Sequence, residues 1–154
     1  MTTTIRRTFA RALALGIALI AGLTLFVVPT PKAEAMTNFG YKVSQVAASR
    51  EGMPYVRGAN GPTRFDCSGL TQWTFARLGK SLPRTSSAQY AAVKHIPREY
   101  RRKGDLVFFY GLGHAGIYLG RGRFVHAANA RDDVTIDTLT GWYRDHYVGA
   151  RRVA

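Results

Sequence analysis

With 154 residues, 46% of them hydrophobic, the chain has room for one globular domain and no more. Its net charge of +13 points to polyanionic partners, but the basic residues are scattered and no recognition helix or stacking pattern gathers them, which argues against nucleic acid. A single cysteine, Cys67, excludes an intramolecular disulfide and leaves one thiol either buried and inert or reactive.

The first 35 residues read as a leader rather than as part of that domain. Arg6, Arg7 and Arg11 form a basic start, an apolar run extends from Ala12 to Val28, and Pro29 and Pro31 precede the small-residue triplet Ala33-Glu34-Ala35. That order predicts a secretory signal peptide, residues 1–35, cleaved after Ala35. The alternative is an uncleaved membrane anchor, for which the run falls short of the roughly 20 residues a span needs. Arg6-Arg7 also has a twin-arginine flavour. No cysteine near the cleavage site offers a lipid attachment point. Export leaves 119 residues, and loss of Arg6, Arg7, Arg11, Lys32 and Glu34 leaves a net charge of +10. No membrane span then remains, and the expected location is secreted, cell-wall or periplasmic.

Residues 36–50 read as a short N-terminal helical segment, with Val43, Val46 and Ala47 on one face of a helix over Tyr41–Ser49. The domain proper is read as residues 51–154. It opens with a Gly- and Pro-rich ordered loop, Glu51 to Phe65. Asp66 is a good N-cap for a helix starting at Cys67, with Leu70, Trp73 and Leu78 as its apolar stripe and Gly79 as its stop. A second short helix starts near Ser86, where Ser86-Ser87-Ala88-Gln89 fits a capping box. From Gly104 the pattern changes to short β-type runs: Leu106–Tyr110, Ala115–Leu119, Arg123–Ala127 and Val134–Ile136, with Tyr147–Arg152 closing the sheet. Helices first and strands second predict an α+β domain with an antiparallel sheet.

Cys67 in the first turn of a helix meets free backbone N–H groups and the positive end of the helix dipole, and both favour thiolate. A catalytic thiol also needs a base for its proton and a polar group to orient that base. His114 opens one β-run and His126 closes the next. A three-residue turn, Gly120-Arg121-Gly122, sets Gly116 opposite His126 and brings both imidazoles to one face. A two-residue turn puts them on opposite faces, so a triad requires an odd loop or a bulge, for which Gly122 can supply the left-handed residue. His95 and His146 read as satisfied bystanders. One Cys and two His give no tight ligand spacing, so neither a metal nor any other cofactor is expected.

Several motifs stand in order: Phe65-Asp66-Cys67-Ser68-Gly69-Leu70, Leu82-Pro83-Arg84-Thr85-Ser86 with Gln89, Gly104-Asp105-Leu106-Val107-Phe108-Phe109, His114-Ala115-Gly116-Ile117-Tyr118-Leu119-Gly120, and Phe124-Val125-His126-Ala127. From Gly52 to Arg152 the sequence resembles the NlpC-type family of papain-like cell-wall endopeptidases. The resemblance implies a circularly permuted papain-like fold and cleavage of peptidoglycan stem peptides, typically between D-glutamate, through its γ-carboxyl, and a diamino acid. It implies Cys67 as nucleophile, His114 as general base and acid, and His126 as the orienting third member. It implies a place at the oxyanion for Tyr55, and contact of Asp66 and Ser68 with the substrate's amine, although helix capping accounts for Asp66 equally. Gly58-Ala59 stands where the family often has two glycines, and Ala115 where a larger valine is common. Two alternatives share the fold: a non-catalytic protein held to wall polymers by charge, and an amidase or acyl-transfer enzyme acting on another amide or ester.

Overall fold

The computed structural model describes residues 31–154. The apolar run Ala12–Val28 lies outside them. A helix α1, Pro31–Ala48, is followed by the loop to α2 (Cys67–Ala76), then α3 (Ser86–Ala92) and β1 (Lys94–Ile96). The rest is β2 (Leu106–Phe109), β3 (His114–Gly120), β4 (Arg123–Ala127), β5 (Val134–Thr138), α4 (Gly141–Asp145) and β6 (Tyr147–Arg152). The six strands form one antiparallel sheet in the order β1-β6-β2-β3-β4-β5. The α+β architecture expected from the sequence is therefore present. The strand β1 and the helix α4 were not foreseen, and α1 begins ten residues before the amphipathic stretch that predicts it. No helix among the described residues is long and apolar enough to cross a membrane.

Alternation along the strands divides the core in two. Leu106, Phe108, Ala115, Ile117, Val125 and Ala127 turn one way and pack with Val43 and Ala47 of α1 and with Leu70 and Phe75 of α2. Val107, Phe109, Phe124 and Ala150 turn the other way, beneath Tyr143 of α4. Each large apolar side chain fully removed from water in this way contributes roughly 1.5–3 kcal/mol. Residues Pro31 to Asn38 of α1, Ala33 aside, are exposed, and burial begins at Phe39. From there α1 runs close against the loop before β2. A Cβ at Gly40 would lie 2.2 Å from the carbonyl oxygen of Lys103, so only glycine permits this crossing.

The nucleophile helix starts where the sequence places it. Asp66 is extended (φ −98°) and its carboxylate accepts from the N–H of Gly69, while Gly79 (φ +75°) lies just past the helix end. The second helix differs from its expected capping box. Thr85 is the N-cap, its hydroxyl accepting from the Ala88 N–H at 3.3 Å. Gln89 is instead fully buried and ties α3 to α2: its amide donates to the Ser68 carbonyl (3.0 Å) and accepts from the Thr71 hydroxyl (2.7 Å).

The β3–β4 hairpin resolves the open question of register. Arg121 (φ 52°) and Gly122 (φ 74°) form a two-residue turn, and Gly120 pairs with Arg123. A bulge between Tyr118 and Gly120 then inserts one residue, so that Tyr118 pairs with Phe124 and Ile117 with Val125. The bulge glycine is Gly120 (φ 90°), not Gly122. The inserted residue restores the register that a three-residue turn would have given, with Gly116 opposite His126.

Candidate active site

Cys67 begins α2 and His114 begins β3, and the packing of α2 on β3 brings these two starts together. Backbone N–H groups of Ala115, Ser68 and Cys67 itself all act on the thiol. The donors expected of a helix N-terminus are thus in place. Burial nonetheless outweighs them and, with the Asp66 carboxylate nearby, pushes the Cys67 thiol above its ordinary value. The resting group is a protonated thiol, not the thiolate that placement alone suggested.

The two histidines meet. His114 and His126 are 8% and 0% exposed, and Nε2 of His114 lies 2.7 Å from Nδ1 of His126 with the rings nearly perpendicular. Gly116 makes room for the contact. A Cβ there would come within 2.8 Å of the Phe124 ring, 2.9 Å of the Val125 carbonyl oxygen and 3.2 Å of the His126 Cβ. Burial, and then the neighbouring His126, lower His114 to about 3, so its ring is uncharged at neutral pH. Burial also lowers His126, against an opposing pull from Asp137. The Ala115 N–H that acts on the thiol belongs to the residue after His114, and an uncharged imidazole can act as a general base.

Of the other anticipated residues, Tyr55 lies close enough to Cys67 for their charges to interact. Burial first and Cys67 second raise its hydroxyl above the usual value, so it stays a donor. Asp66 and Ser68 are tied to the protein. Asp66 accepts from Gly69 (2.7 Å), from Gly58 (2.8 Å) and from both terminal nitrogens of Arg84. Burial alone would raise its carboxyl, but Arg84 and the two backbone donors hold it below the usual range. The hydroxyl of Ser68 accepts from Arg84 at 3.0 Å. Asp66 is therefore an N-cap that also fastens the preceding loop and Arg84 to the nucleophile helix. His95 pairs with Arg151 and His146 stacks on Trp142, so neither joins the His114–His126 pair. No group of three His, Cys, Asp or Glu side chains among the described residues could hold a metal ion. A cavity of about 670 Å³ between α1 and the loop before β2 shares no residue with this site.

Three residues at the site were not singled out by sequence reasoning. Arg84 had a signal, since it lies in the Leu82–Ser86 motif. Asp137 of β5 meets Nε2 of His126 at 3.0 Å, and the Tyr143 hydroxyl of α4 lies 3.4 Å from the same nitrogen. Asp137 had a weak signal in alternation: Val134 and Ile136 turn to one face, which sends Asp137 to the face of His126.

The model of the NlpC/P60 family matches residues 52–152. A Corynebacterium glutamicum (strain R) protein named "Probable endopeptidase" is 43% identical over 118 residues, 73% of this chain and 56% of its own length. The bifunctional muramidase/DL-endopeptidase CwlT of Bacillus subtilis is 41% identical over 123 residues, 75% of this chain and 37% of its own. This chain thus spans about half or less of the length of these relatives. Among solved structures, an NLP/P60 family protein similar to lipoprotein from Staphylococcus aureus Mu50 superposes with a TM-score of 0.67 at 41% identity, covering 75% of this chain and 41% of that one. With helix α2, the paired histidines and Asp137 all inside the matched span, the chain belongs to the NlpC/P60 family.

Proposed function

We propose that this chain is an exported cysteine endopeptidase that hydrolyses peptidoglycan stem peptides at the γ-D-glutamyl–diamino acid bond. The observation that carries the reading is a helix-N-terminal thiol held by the Ala115 N–H, next in the chain to His114, whose uncharged ring forms a buried, hydrogen-bonded pair with His126. The names of the relatives, DL-endopeptidase among them, supply the substrate class.

In this reading the Cys67 thiol gives its proton to Nδ1 of His114 as sulfur attacks the scissile carbonyl carbon. The carbonyl oxygen becomes an oxyanion and accepts from backbone N–H groups at the start of α2 and from the Tyr55 hydroxyl. The His114 imidazolium then protonates the leaving nitrogen, the C–N bond breaks and the diamino acid departs as a free amine. The thioester that remains is attacked by water, whose proton passes to His114. Collapse releases the carboxylic acid and returns the proton to sulfur.

Residues 1–35 serve as the export leader. The burial of α1 supports this boundary, because its packed part starts at Phe39, beyond the cleavage triplet. The basic surface draws the protein electrostatically to anionic wall polymers, an attraction that weakens as salt screens it.

The test is to incubate the protein and its Cys67→Ala variant with purified peptidoglycan and to read the products by mass spectrometry. New fragments carrying a free diamino-acid amine, absent with the variant, are expected. Fragments from both proteins, or from neither on walls of several stem types, would overturn the reading in favour of wall binding or another amide or ester substrate.

A further inference from the structure

The contact between His114 and His126 does not by itself decide which nitrogen of either ring carries the proton. With the proton of His114 on Nδ1, that ring cannot accept the thiol proton. With it on Nε2, Nδ1 offers a lone pair. The choice is set at the far end of the chain of contacts, where a carboxylate accepts hydrogen bonds and cannot donate them.

We propose that Asp137 is a positioning residue that fixes the tautomers of both histidines. It requires the proton of His126 to sit on Nε2, 3.0 Å from its own oxygen. The Nδ1 of His126 is then an acceptor, so the hydrogen bond at 2.7 Å must be donated by Nε2–H of His114. Nδ1 of His114 is left bare. When that nitrogen takes the thiol proton, the Nε2–H···Nδ1 and Nε2–H···Oδ2 bonds become charge-assisted in turn, and the new positive charge is held between two acceptors.

The surroundings keep Asp137 in this role. Asp137 sits on β5 opposite Phe124, diagonal to His126 on the same face of the sheet. Burial and then the Asp137 charge raise the Tyr143 hydroxyl, so the phenol stays protonated. Its oxygen lies 3.4 Å from Nε2 of His126 and can take a weak share of that N–H. The Tyr143 ring stands edge-on to His126 at 5.2 Å and to Phe124 at 4.9 Å, closing the site on the side of α4. Asp137 retains a 41% exposed side chain, so its negative charge is hydrated as well as paired.

The proposal rests on the peptidase reading for its effect on turnover. Its effect on the thiol stands apart from the substrate, because Cys67 is the only cysteine and its alkylation by iodoacetamide reports the base directly. Two measurements test it. In the wild type at pH 7.5, nitrogen-15 NMR is expected to show both buried rings neutral and protonated on Nε2. In Asp137→Ala, alkylation of Cys67 and kcat on wall fragments are both expected to fall between about 10- and 100-fold, the usual cost of losing a group that orients a catalytic imidazole. KM is expected to hold, and Asp137→Glu to recover part of the loss. The isosteric Asp137→Asn, whose amide can donate to Nε2 and reverse both tautomers, serves if the alanine variant fails to fold. A wild-type His114 protonated on Nδ1 would overturn the proposal. So would alkylation in Asp137→Asn at the wild-type rate, or a rise in KM with kcat unchanged. If alkylation and tautomers behave as expected but no wall peptide is cut, the peptidase reading fails and the tautomer assignment stands.

Discussion

Lowering the pH from 6.5 to 4.5 should destabilise this domain through its buried histidines. His114 is held at about 3 in the folded protein against 6.5 for the free side chain, chiefly by burial. Between those values the unfolded chain binds a proton that the folded chain refuses. Stability therefore rises with pH across this window and is lost as the pH falls below 6.5. The slope approaches about 1.4 kcal/mol per pH unit once the free side chain is mostly protonated, and the two units together cost about 2 kcal/mol. His114 is only 8% exposed, so solvent screening does not discount this figure. His126 is also lowered and adds in the same direction. Asp66 is lowered too, but its contribution disappears only as the pH drops below the free carboxyl value of 3.8, outside the window. For a domain of this size the loss amounts to roughly 10 °C in melting temperature. Melts followed by circular dichroism at half-unit steps from pH 7 to 4.5, on Cys67→Ala and on Cys67→Ala with His114→Gln, isolate the effect. The first should lose stability steadily, and the second should lose less, by a margin that approaches about 1.4 kcal/mol per unit. A flat melting temperature in the first protein, or equal slopes in both, would refute the reasoning.

Two further changes probe the scaffold. Gly116→Ala inserts a methyl group 2.8 Å from the Phe124 ring and 2.9 Å from a backbone oxygen. It is expected to destabilise by about 1–3 kcal/mol, as overpacking does, and to lower kcat at least tenfold by moving His126; a stable variant with full kcat would show that the hairpin does not need the glycine. Asp66→Ala removes the N-cap of α2 and unpairs Arg84, at an expected cost of about 2 kcal/mol in denaturant titration. Asp66→Asn, which keeps an oxygen for the Gly69 N–H, should lose less, and equal losses would deny the cap its role.

Much of the site is local in sequence and was legible there. Asp66 before Cys67 announces a helix N-terminus, because a short side-chain oxygen at that point satisfies an otherwise unpaired N–H. The β-type runs Leu106–Tyr110, Ala115–Leu119 and Arg123–Ala127, divided by Gly, announce strands, because branched and aromatic side chains suit a pleated surface and glycine breaks it. Helices before strands announce the α+β class. The pairing of His114 with His126 could be stated only as a condition, since one residue more or less in the hairpin reverses which way a ring points. The tertiary structure met that condition with a two-residue turn and a bulge at Gly120. It also decided what no local pattern contains. Burial overrides the helix dipole at Cys67, because the charged form loses more hydration than three N–H groups return. Gln89 leaves its expected cap to bind α2 from within the core. Asp137 reaches His126 because β5 pairs with β4, and Tyr143 does so because α4 folds back over the sheet. Sequence carries the residues whose roles depend on their neighbours in the chain. Protonation depends on the dielectric and on the partners that the whole fold assembles around each group, and only the assembled fold sets it.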